Sequence, residues 1–264
     1  MQPVHCKAVL CHGWITGIWP FARCFIRVHA PVIFSSMQII YTKNPHSAAG
    51  TELARILSKY QNHAVLLLVS GGSAFSVLEE CDTAVLGVHV TVGVLDERYS
   101  SDPRINNFLQ LKETVFFKEA MRLGAKCFDT SIGENDSQAA LAARMEKGIR
   151  NWINENPAGK IIATMGIGED GHTAGILPET AAANFDDGKI IASYSVGKEI
   201  NPYPERVSAS LAFLRDGVDE AVVYAVGEKK QRVIGKLGNE KIALRIMPAR
   251  ILNKMRTVAI FTDG

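Results

Sequence analysis

Long apolar runs alternate along this chain with amphipathic segments, and the alternation predicts strands that alternate with helices. Continuous apolar runs are typical of strands buried on both faces of a parallel sheet. Strong runs cover residues 64–70, 90–97, 160–166, 220–227 and 257–263, with a shorter run at 38–42 and weaker ones at 189–196 and 206–214. The runs at 64–70, 90–97 and 160–166 are expected to be central strands of one sheet, and the run at 220–227 another buried strand.

Helical patterns fill the intervals between these strands. Asn44-Pro45 predicts an N-cap followed by proline in the first turn of a helix that continues to about Tyr60. Further helices are predicted over 104–122 (in pieces), 137–155 and 228–237. This order of elements indicates an α/β fold: a single Rossmann-like domain whose central, mostly parallel sheet is flanked by helices.

Polar residues collect where the predicted strands end. Ligands of parallel α/β sheets bind beyond the carboxyl ends of the strands. The clusters are Ser70-Gly71-Gly72-Ser73, Asp96-Glu97-Arg98, Gly168 to Thr173, and Gly227 with Lys230. Their shared position favours one site more strongly than any single motif does.

The segment IIATMGIGEDGHTAGILP (161–178) has two functional interpretations. Its G-x-G-x-x-G spacing after a strand matches a dinucleotide-binding loop, and Asp186 and Asp187 lie near the distance of a ribose-binding acid. However, Pro178 limits any following helix to about two turns, and the loop comes late in the chain. Dinucleotide binding is therefore disfavoured.

The same segment also has the residues for acid–base chemistry. Gly168 would let the backbone approach a ligand closely, and His172 can accept or donate a proton near neutral pH. Asp170 can fix the tautomer of His172 or raise its basicity. On spacing alone, a turn with a surface histidine and an aspartate cap is an equally good interpretation.

The other clusters are ambiguous in isolation as well. The free N–H groups of Ser70-Gly71-Gly72-Ser73, between a strand and a helix, favour a phosphate, although no P-loop lysine follows. A plain glycine-rich turn fits equally well. Asp96-Glu97-Arg98 could be a salt-bridged structural corner, and Arg206 and Lys230 ordinary surface cations.

Composition narrows the class of protein and its partners. The 264 residues suit one large domain or two small ones, and 47% hydrophobic with 21% charged residues is typical of a soluble globular protein. A net charge of +2 gives no argument for nucleic acid binding. The cysteines show neither a C-x-x-C metal spacing nor a disulfide framework, which fits a reducing cytoplasm.

Residues 1–36 differ from the rest of the chain, because they lack Asp and Glu and hold most of the cysteines and tryptophans. A targeting peptide is one interpretation. A membrane anchor is another, but Pro20, Arg23 and Arg27 interrupt every run long enough to span. An upstream extension is favoured. We therefore predict an extension outside the fold over 1–36 and a single α/β domain over 37–264.

Three segments of this chain resemble, in the same order, segments of 6-phosphogluconolactonases: LLLVSGGS, VGVLDERYSSDPRINN and ATMGIGEDGHTAGILP. These enzymes are relatives of glucosamine-6-phosphate deaminases and, more distantly, of ribose-5-phosphate isomerases. ERVSASLAFL and VVYAVGEKK resemble later segments of the family, so the resemblance runs from about Ile39 to the C-terminus. It implies a sugar-phosphate isomerase/deaminase-like fold and the hydrolysis of 6-phospho-D-glucono-1,5-lactone, a step of the oxidative pentose phosphate pathway. It also implies that no organic cofactor and no metal is needed.

The resemblance implies roles for individual residues. His172 would be the general base that activates water, and Asp170 would position His172 or the substrate. Glu97 and Arg98 would line the sugar site, with Arg98 near the developing negative charge. The sugar and its 6-phosphate would be bound by Ser70, Gly71, Gly72, Ser73, Asp96, Gly168, Arg206 and Lys230.

Other functions stay open at this point. Deaminases carry a carboxylate five residues after the motif histidine, where this chain has Leu177. An aldose–ketose isomerase and a non-catalytic sugar-phosphate sensor are further alternatives. The chain departs from the lactonase pattern at Ala74-Phe75, Tyr99-Ser100 and Ser208. We expect a cytoplasmic enzyme, a monomer or small homo-oligomer, whose partner is a sugar-phosphate lactone and neither nucleic acid nor membrane.

Overall fold

A computed structural model describes residues 36–264 apart from residues 134–135, 181 and 183–188. All described residues belong to one compact unit. The strands are β1 (Ser36–Tyr41), β2 (Val65–Val69), β3 (Val90–Val94), β4 (Asp96–Arg98), β5 (Lys126–Cys127), β6 (Lys160–Gly166), β7 (Ile191–Ser195), β8 (Glu205–Ala209), β9 (Glu220–Tyr224) and β10 (Thr257–Thr262). The α-helices are α1 (Pro45–Lys59), α2 (Phe75–Glu79), α3 (Asn107–Glu113), α4 (Val115–Arg122), α5 (Gln138–Glu155), α6 (Leu211–Gly217) and α7 (Glu228–Ile234).

Seven strands form a central sheet in the order β1-β10-β9-β6-β2-β3-β5. Every neighbouring pair in this sheet is parallel, which confirms the predicted sheet type. All residues of β2 and of β3 are buried, because helices cover both faces of such a sheet. The strands therefore supply the core, and their carboxyl ends meet along one edge of the sheet.

The residues of the 90–97 run do not form one strand as predicted. The chain leaves the central sheet after Val94, and β4 joins a separate three-stranded sheet in the order β4-β8-β7. Its pairs are antiparallel, with Asp96 opposite Ser208 and Arg98 opposite Arg206. This small sheet places charged residues from two distant segments side by side, directly beyond the end of β3.

The helical predictions are confirmed with small shifts of their ends. Helix α1 begins at Pro45 after the cap position Asn44, and α5 is capped by Ser137, whose side chain accepts a hydrogen bond from the Ala140 N–H. The 206–214 run divides into β8 and α6, with Ser210 as the cap between them. Polar Ser210 ends the strand because its hydroxyl accepts the Phe213 N–H that the new helix leaves free.

No helix follows β6 over residues 167–180. This segment folds back on itself through single bridges that join Ile167 to Thr173 and Thr173 to Ile176. A dinucleotide-binding loop would run directly into a long helix, so the structure argues further against that interpretation. The acids Asp186 and Asp187 lie outside the described residues.

Residues 1–35 also lie outside the described part of the chain, so the predicted boundary between extension and domain stays a prediction. Strand β1 begins at Ser36, one residue before the predicted start of the domain. In the part of the chain that the structure describes, no helix is both long and apolar enough to cross a membrane.

Candidate active site

A cleft of about 280 Å³ opens beyond the carboxyl ends of β2 and β6, and residues of the small sheet also line it. All but two of the predicted site residues line it. They are Ser70, Gly71, Gly72, Ser73, Asp96, Arg98, Gly168, His172, Arg206 and Lys230. The strand-end clusters therefore converge as expected, since parallel strands point their carboxyl ends to the same edge of the sheet.

The loop after β6 holds a histidine beside a carboxylate. Oδ1 of Asp170 lies 2.5 Å from Nδ1 of His172 and also accepts the His172 backbone N–H. Gly171, at a φ of +88°, makes the tight turn between them. Gly168 fits against the pair so closely that a Cβ there would overlap Nδ1 of His172.

This contact assigns the tautomer of His172. A carboxylate on Nδ1 keeps the proton of the neutral ring on that nitrogen and leaves the lone pair on Nε2. Burial pushes the pKa of Asp170 upward, but the hydrogen bonds and charge of His172 outweigh burial, so the net pKa is lowered. Asp170 therefore stays ionised and holds His172 in the form that can accept a proton at Nε2.

Asp170 itself does not line the cleft. It lines a neighbouring pocket, which it shares with Glu169, Lys229 and Met247. Of the two roles expected for Asp170, the structure shows the contact with His172. A direct contact with a ligand in the cleft is not favoured by this placement.

Two arginines and an aspartate form the floor of the cleft beside the small sheet. Arg206 is 5% exposed, and its guanidinium lies 3.6 Å from Oδ2 of Asp96. The Arg98 guanidinium lies 4.4 Å from the centre of the Tyr203 ring. Burial, followed by the charge of Arg206, lowers the pKa of Arg98. Neither arginine Nε has a hydrogen-bond partner among the described residues, so the floor offers unused donors to an anion or a polar ligand.

A lysine from α7 closes the opposite side of the cleft. Lys230 Nζ lies 3.2 Å from the Ser73 hydroxyl, in the loop after β2. Burial lowers the pKa of Lys230, and the charge of Glu169 partly opposes that change. Gly72 beside it takes a φ of +65°. The glycine loop and Lys230 thus present backbone and cationic donors at one end of the cleft.

Glu97 does not line the cleft, contrary to the expectation from the sequence. It is fully buried, and Oε1 accepts the backbone N–H groups of Arg98 and Asn107. Oε2 accepts the Phe108 N–H and the Thr130 hydroxyl. Burial raises the pKa of Glu97 to about 7, although these donors favour the carboxylate form. Glu97 therefore supports the start of α3 behind the cleft wall.

The cleft also contains residues that the sequence did not suggest. They are Asn107, Gly166, Ile167, Glu169 and Ala174. Four of them lie within the 161–178 segment and could have been included with it. Asn107 is the last residue of the segment VGVLDERYSSDPRINN, but no role was predicted for it. It lies ten residues after Glu97 and reaches the cleft through the first turn of α3.

Comparison with known proteins places this chain among enzymes of sugar-phosphate metabolism. Residues 44–260 match the family described as "Glucosamine-6-phosphate isomerases/6-phosphogluconolactonase". The chain is 26% identical to a 6-phosphogluconolactonase of Helicobacter pylori over 206 residues, which are 76% of this chain and 85% of that protein. It is 22% identical to a probable 6-phosphogluconolactonase of Dictyostelium discoideum over 199 residues, 74% and 83% of the two chains. The solved 6-phosphogluconolactonase of Trypanosoma brucei superposes with a TM-score of 0.67 at 20% identity, covering 88% of this chain and 97% of that one.

Proposed function

The chain belongs to the family of glucosamine-6-phosphate isomerases and 6-phosphogluconolactonases, and we propose that it hydrolyses 6-phospho-D-glucono-1,5-lactone to 6-phosphogluconate. This reaction makes it a hydrolase acting on a carboxylic ester, in the oxidative pentose phosphate pathway. The observation that carries the proposal is the His172–Asp170 pair at a cleft with three cationic side chains, Arg98, Arg206 and Lys230. The lactonases among its relatives support the choice of reaction.

His172 acts as the general base. Its Nε2 accepts a proton from a water molecule as the water oxygen attacks the lactone carbonyl carbon. The resulting imidazolium returns the proton to the ring oxygen when the bond from C1 to that oxygen breaks, so no net proton stays on the protein. Such a positioned base contributes about 10²- to 10⁴-fold to the rate.

Arg98 stabilises the charge that develops during the attack. A tetrahedral intermediate carries its negative charge on the former carbonyl oxygen, and a fixed guanidinium that is already desolvated stabilises this charge without reorganisation. The Tyr203 ring lies against the Arg98 head group, and the charge of Asp96 favours the charged form of Arg98. Asp170 stabilises the imidazolium of His172 through its bond to Nδ1.

The phosphate group is bound at the end of the cleft formed by the glycine loop and α7. Lys230 and the backbone N–H groups of Gly71, Gly72 and Ser73 meet there. Arg206 belongs to the small-sheet floor, from where it would add a planar group suited to paired contacts with phosphate oxygens. Lys230 and the glycine loop lie opposite Arg98 in the same cleft, so one substrate can place its phosphate against the former and its lactone carbonyl against Arg98.

A deaminase mechanism is disfavoured by the environment of Leu177. That side chain is 3% exposed, and its backbone N–H donates to the Tyr194 hydroxyl. No carboxylate reaches the cleft from this position, where the deaminases carry one. The cytoplasmic location, the oligomeric state and the independence from cofactor and metal stay predictions from the sequence.

The first test follows loss of the lactone, generated in situ from glucose 6-phosphate, against its spontaneous hydrolysis. We expect the parent protein to accelerate hydrolysis, His172→Ala to lose about 10²-fold or more in kcat, and Lys230→Ala chiefly to raise KM. His63→Ala and Lys43→Ala change an exposed histidine and an exposed lysine outside the cleft, and serve as matched controls.

Three results would contradict the proposal or the role that it gives to His172. Hydrolysis at the spontaneous rate in the presence of the parent protein would exclude a lactonase, and release of ammonia from glucosamine 6-phosphate would then identify a deaminase. Saturable binding of sugar phosphates without turnover would identify a sensor. Equal losses in the His172 and His63 variants would remove His172 from the role of base.

A further inference from the structure

Two buried acceptor atoms in the cleft wall have no donor. Asn107 is 1% exposed and Asp96 is 4% exposed, and both line the cleft. Oδ1 of Asn107 and Oδ1 of Asp96 are shielded from solvent and have no hydrogen-bond partner among the described residues. Buried polar atoms in folded proteins are almost always paired. Two unpaired acceptor atoms in residues that line the same cleft therefore indicate a ligand that supplies hydrogen-bond donors.

The orientation of the Asn107 amide is fixed by its other contacts. Its Nδ2 donates to the Asp96 backbone oxygen at 2.9 Å and lies 3.4 Å from Asp96 Oδ2. A backbone oxygen only accepts, so Nδ2 is the atom beside it and Oδ1 is the free atom. The Asn107 backbone N–H is bound by Glu97, so the start of α3 cannot shift to satisfy Oδ1.

The free oxygen of Asn107 is directed toward the glycine loop. A Cβ on Gly71 would overlap Oδ1 and Cγ of Asn107, so the amide lies directly on the Gly71 backbone. Asn107 therefore joins the loop after β2 to strand β4, between the phosphate-binding end and the small-sheet floor. This is where the carbon chain of a bound sugar phosphate would pass.

Unused donors lie beside the unused acceptors. Arg98 and Arg206 each have an Nε atom that is buried and unpaired among the described residues, and both side chains belong to the same cleft wall. A hydroxyl group is the chemical group that can both donate to a carboxylate or amide oxygen and accept from a guanidinium. The two unpaired acceptors fit neighbouring hydroxyl groups better than an anion or an apolar ring, neither of which has a hydrogen to donate to them.

We propose that Asn107 is a substrate-binding residue of this site. Its Oδ1, together with Oδ1 of Asp96, accepts hydrogen bonds from ring hydroxyl groups of the sugar, and this pair selects hydroxylated substrates over deoxy analogues. The proposal rests on the proposed function, since it takes a sugar-phosphate lactone as the ligand. Sites built to bind a hydroxyl reject analogues that lack it, because the buried polar groups are then left unpaired.

The test compares kcat/KM for the parent and Asn107→Ala on the 6-phospho-gluconolactone and on its 2-, 3- and 4-deoxy analogues. We expect the parent to lose about 10²-fold on at least one deoxy lactone. On the full substrate, we expect kcat/KM of Asn107→Ala to be about 10²-fold below that of the parent. On the same deoxy lactone, we expect kcat/KM of the variant to be less than about tenfold below that of the parent. Asn107→Ser keeps a small polar side chain and is examined in parallel in case the alanine variant does not fold.

If Asn107→Ala lowers kcat/KM by the same factor on the full substrate and on every deoxy lactone, the proposal is overturned, since Asn107 would then have only a structural role. The proposal would also be overturned if the parent protein hydrolysed all the deoxy lactones with the same kcat/KM as the full substrate. Calorimetric binding of 6-phosphogluconate and its deoxy analogues separates this failure from failure of the proposed function. Asn107-dependent discrimination in binding, without turnover of any lactone, would keep the site and exclude the lactonase.

Discussion

Nδ1 of His172 lies 2.5 Å from Oδ1 of Asp170, and only the histidine of this pair lines the cleft. We therefore expect the carboxylate to act on the ring and not on the ligand. In the proposed mechanism it selects the tautomer with a free Nε2 and balances the positive charge that His172 acquires when it takes a proton. The two residues would then form one acid–base unit, of which only His172 meets the substrate.

Asp170→Asn is expected to lower kcat by about 10²- to 10⁴-fold while KM changes little. An amide can turn its NH₂ group toward Nδ1, which moves the ring proton to Nε2 and removes the base. Steady-state kinetics of lactone hydrolysis would measure the effect, with Asp216→Asn, at an exposed aspartate outside the cleft, as the control. A rise in KM at unchanged kcat would instead indicate that Asp170 binds substrate.

Gly168→Ala is expected to lower kcat by about 10²-fold or more with little loss of thermal stability. The added Cβ would overlap His172 Nδ1 and crowd Asp170 Oδ1. It would push the pair apart at the turn of Glu169 and Asp170, which is exposed and adds no side chain to the core. Activity assays and thermal unfolding would be measured together. The control is Gly238→Ala, where a Cβ meets no atom within 4 Å; similar losses of activity in both variants would contradict the expectation.

Tyr203→Leu is expected to lower kcat/KM by about tenfold, whereas Tyr203→Phe should retain most of the parent activity. The face of the ring stabilises the Arg98 guanidinium, and phenylalanine keeps that face while leucine does not. Kinetics with the lactone would distinguish the two variants. Equal losses for Phe and Leu would show that the hydroxyl group, and not the ring, is the part of Tyr203 that matters.

Glu97 is expected to make stability depend on pH. Burial raises its pKa from 4.5 to about 7 in the folded protein, so the folded state holds a proton that the unfolded chain releases between these values. The contribution of Glu97 is fully present below about pH 4.5 and is lost as pH rises through about 7.

Relative to Glu97→Gln, the free energy of unfolding of the parent should therefore fall by up to about 3 kcal/mol across that range. Urea unfolding of both proteins at several pH values would measure this difference. The substitution Glu155→Gln, at an exposed carboxylate of α5, provides the control. A difference between parent and Glu97→Gln that does not vary with pH would contradict the expectation.

The fold and most of the cleft could be predicted because their signals are local. A buried parallel strand is a continuous apolar run, and the edge where such strands end is fixed by their shared direction. Residues as far apart as Ser73 and Lys230 could therefore be assigned to one site from the order of the strands and the polar residues that follow them. The contact between His172 and Asp170 also follows from close spacing within one loop.

The small antiparallel sheet could not be predicted, because its signal is non-local. Strand β4 has only three residues, and its pairing depends on β8, more than 100 positions away. For the same reason the segment Asp96-Glu97-Arg98 did not reveal from its sequence that the Glu97 side chain points into the protein while Arg98 faces the cleft. Asn107 was missed because a helix start, and not a strand end, brings it to the site.

The order of strands has a consequence for synthesis of the protein. In the described part of the chain, β1 pairs only with β10, which lies between β1 and β9. β1 ends at Tyr41 and β10 begins at Thr257, so at typical translation speeds β1 leaves the ribosome roughly 10 to 40 s before its partner. During that interval β1 presents an unpaired edge to other nascent chains. Chaperones that shield such edges are expected to be needed most in this interval.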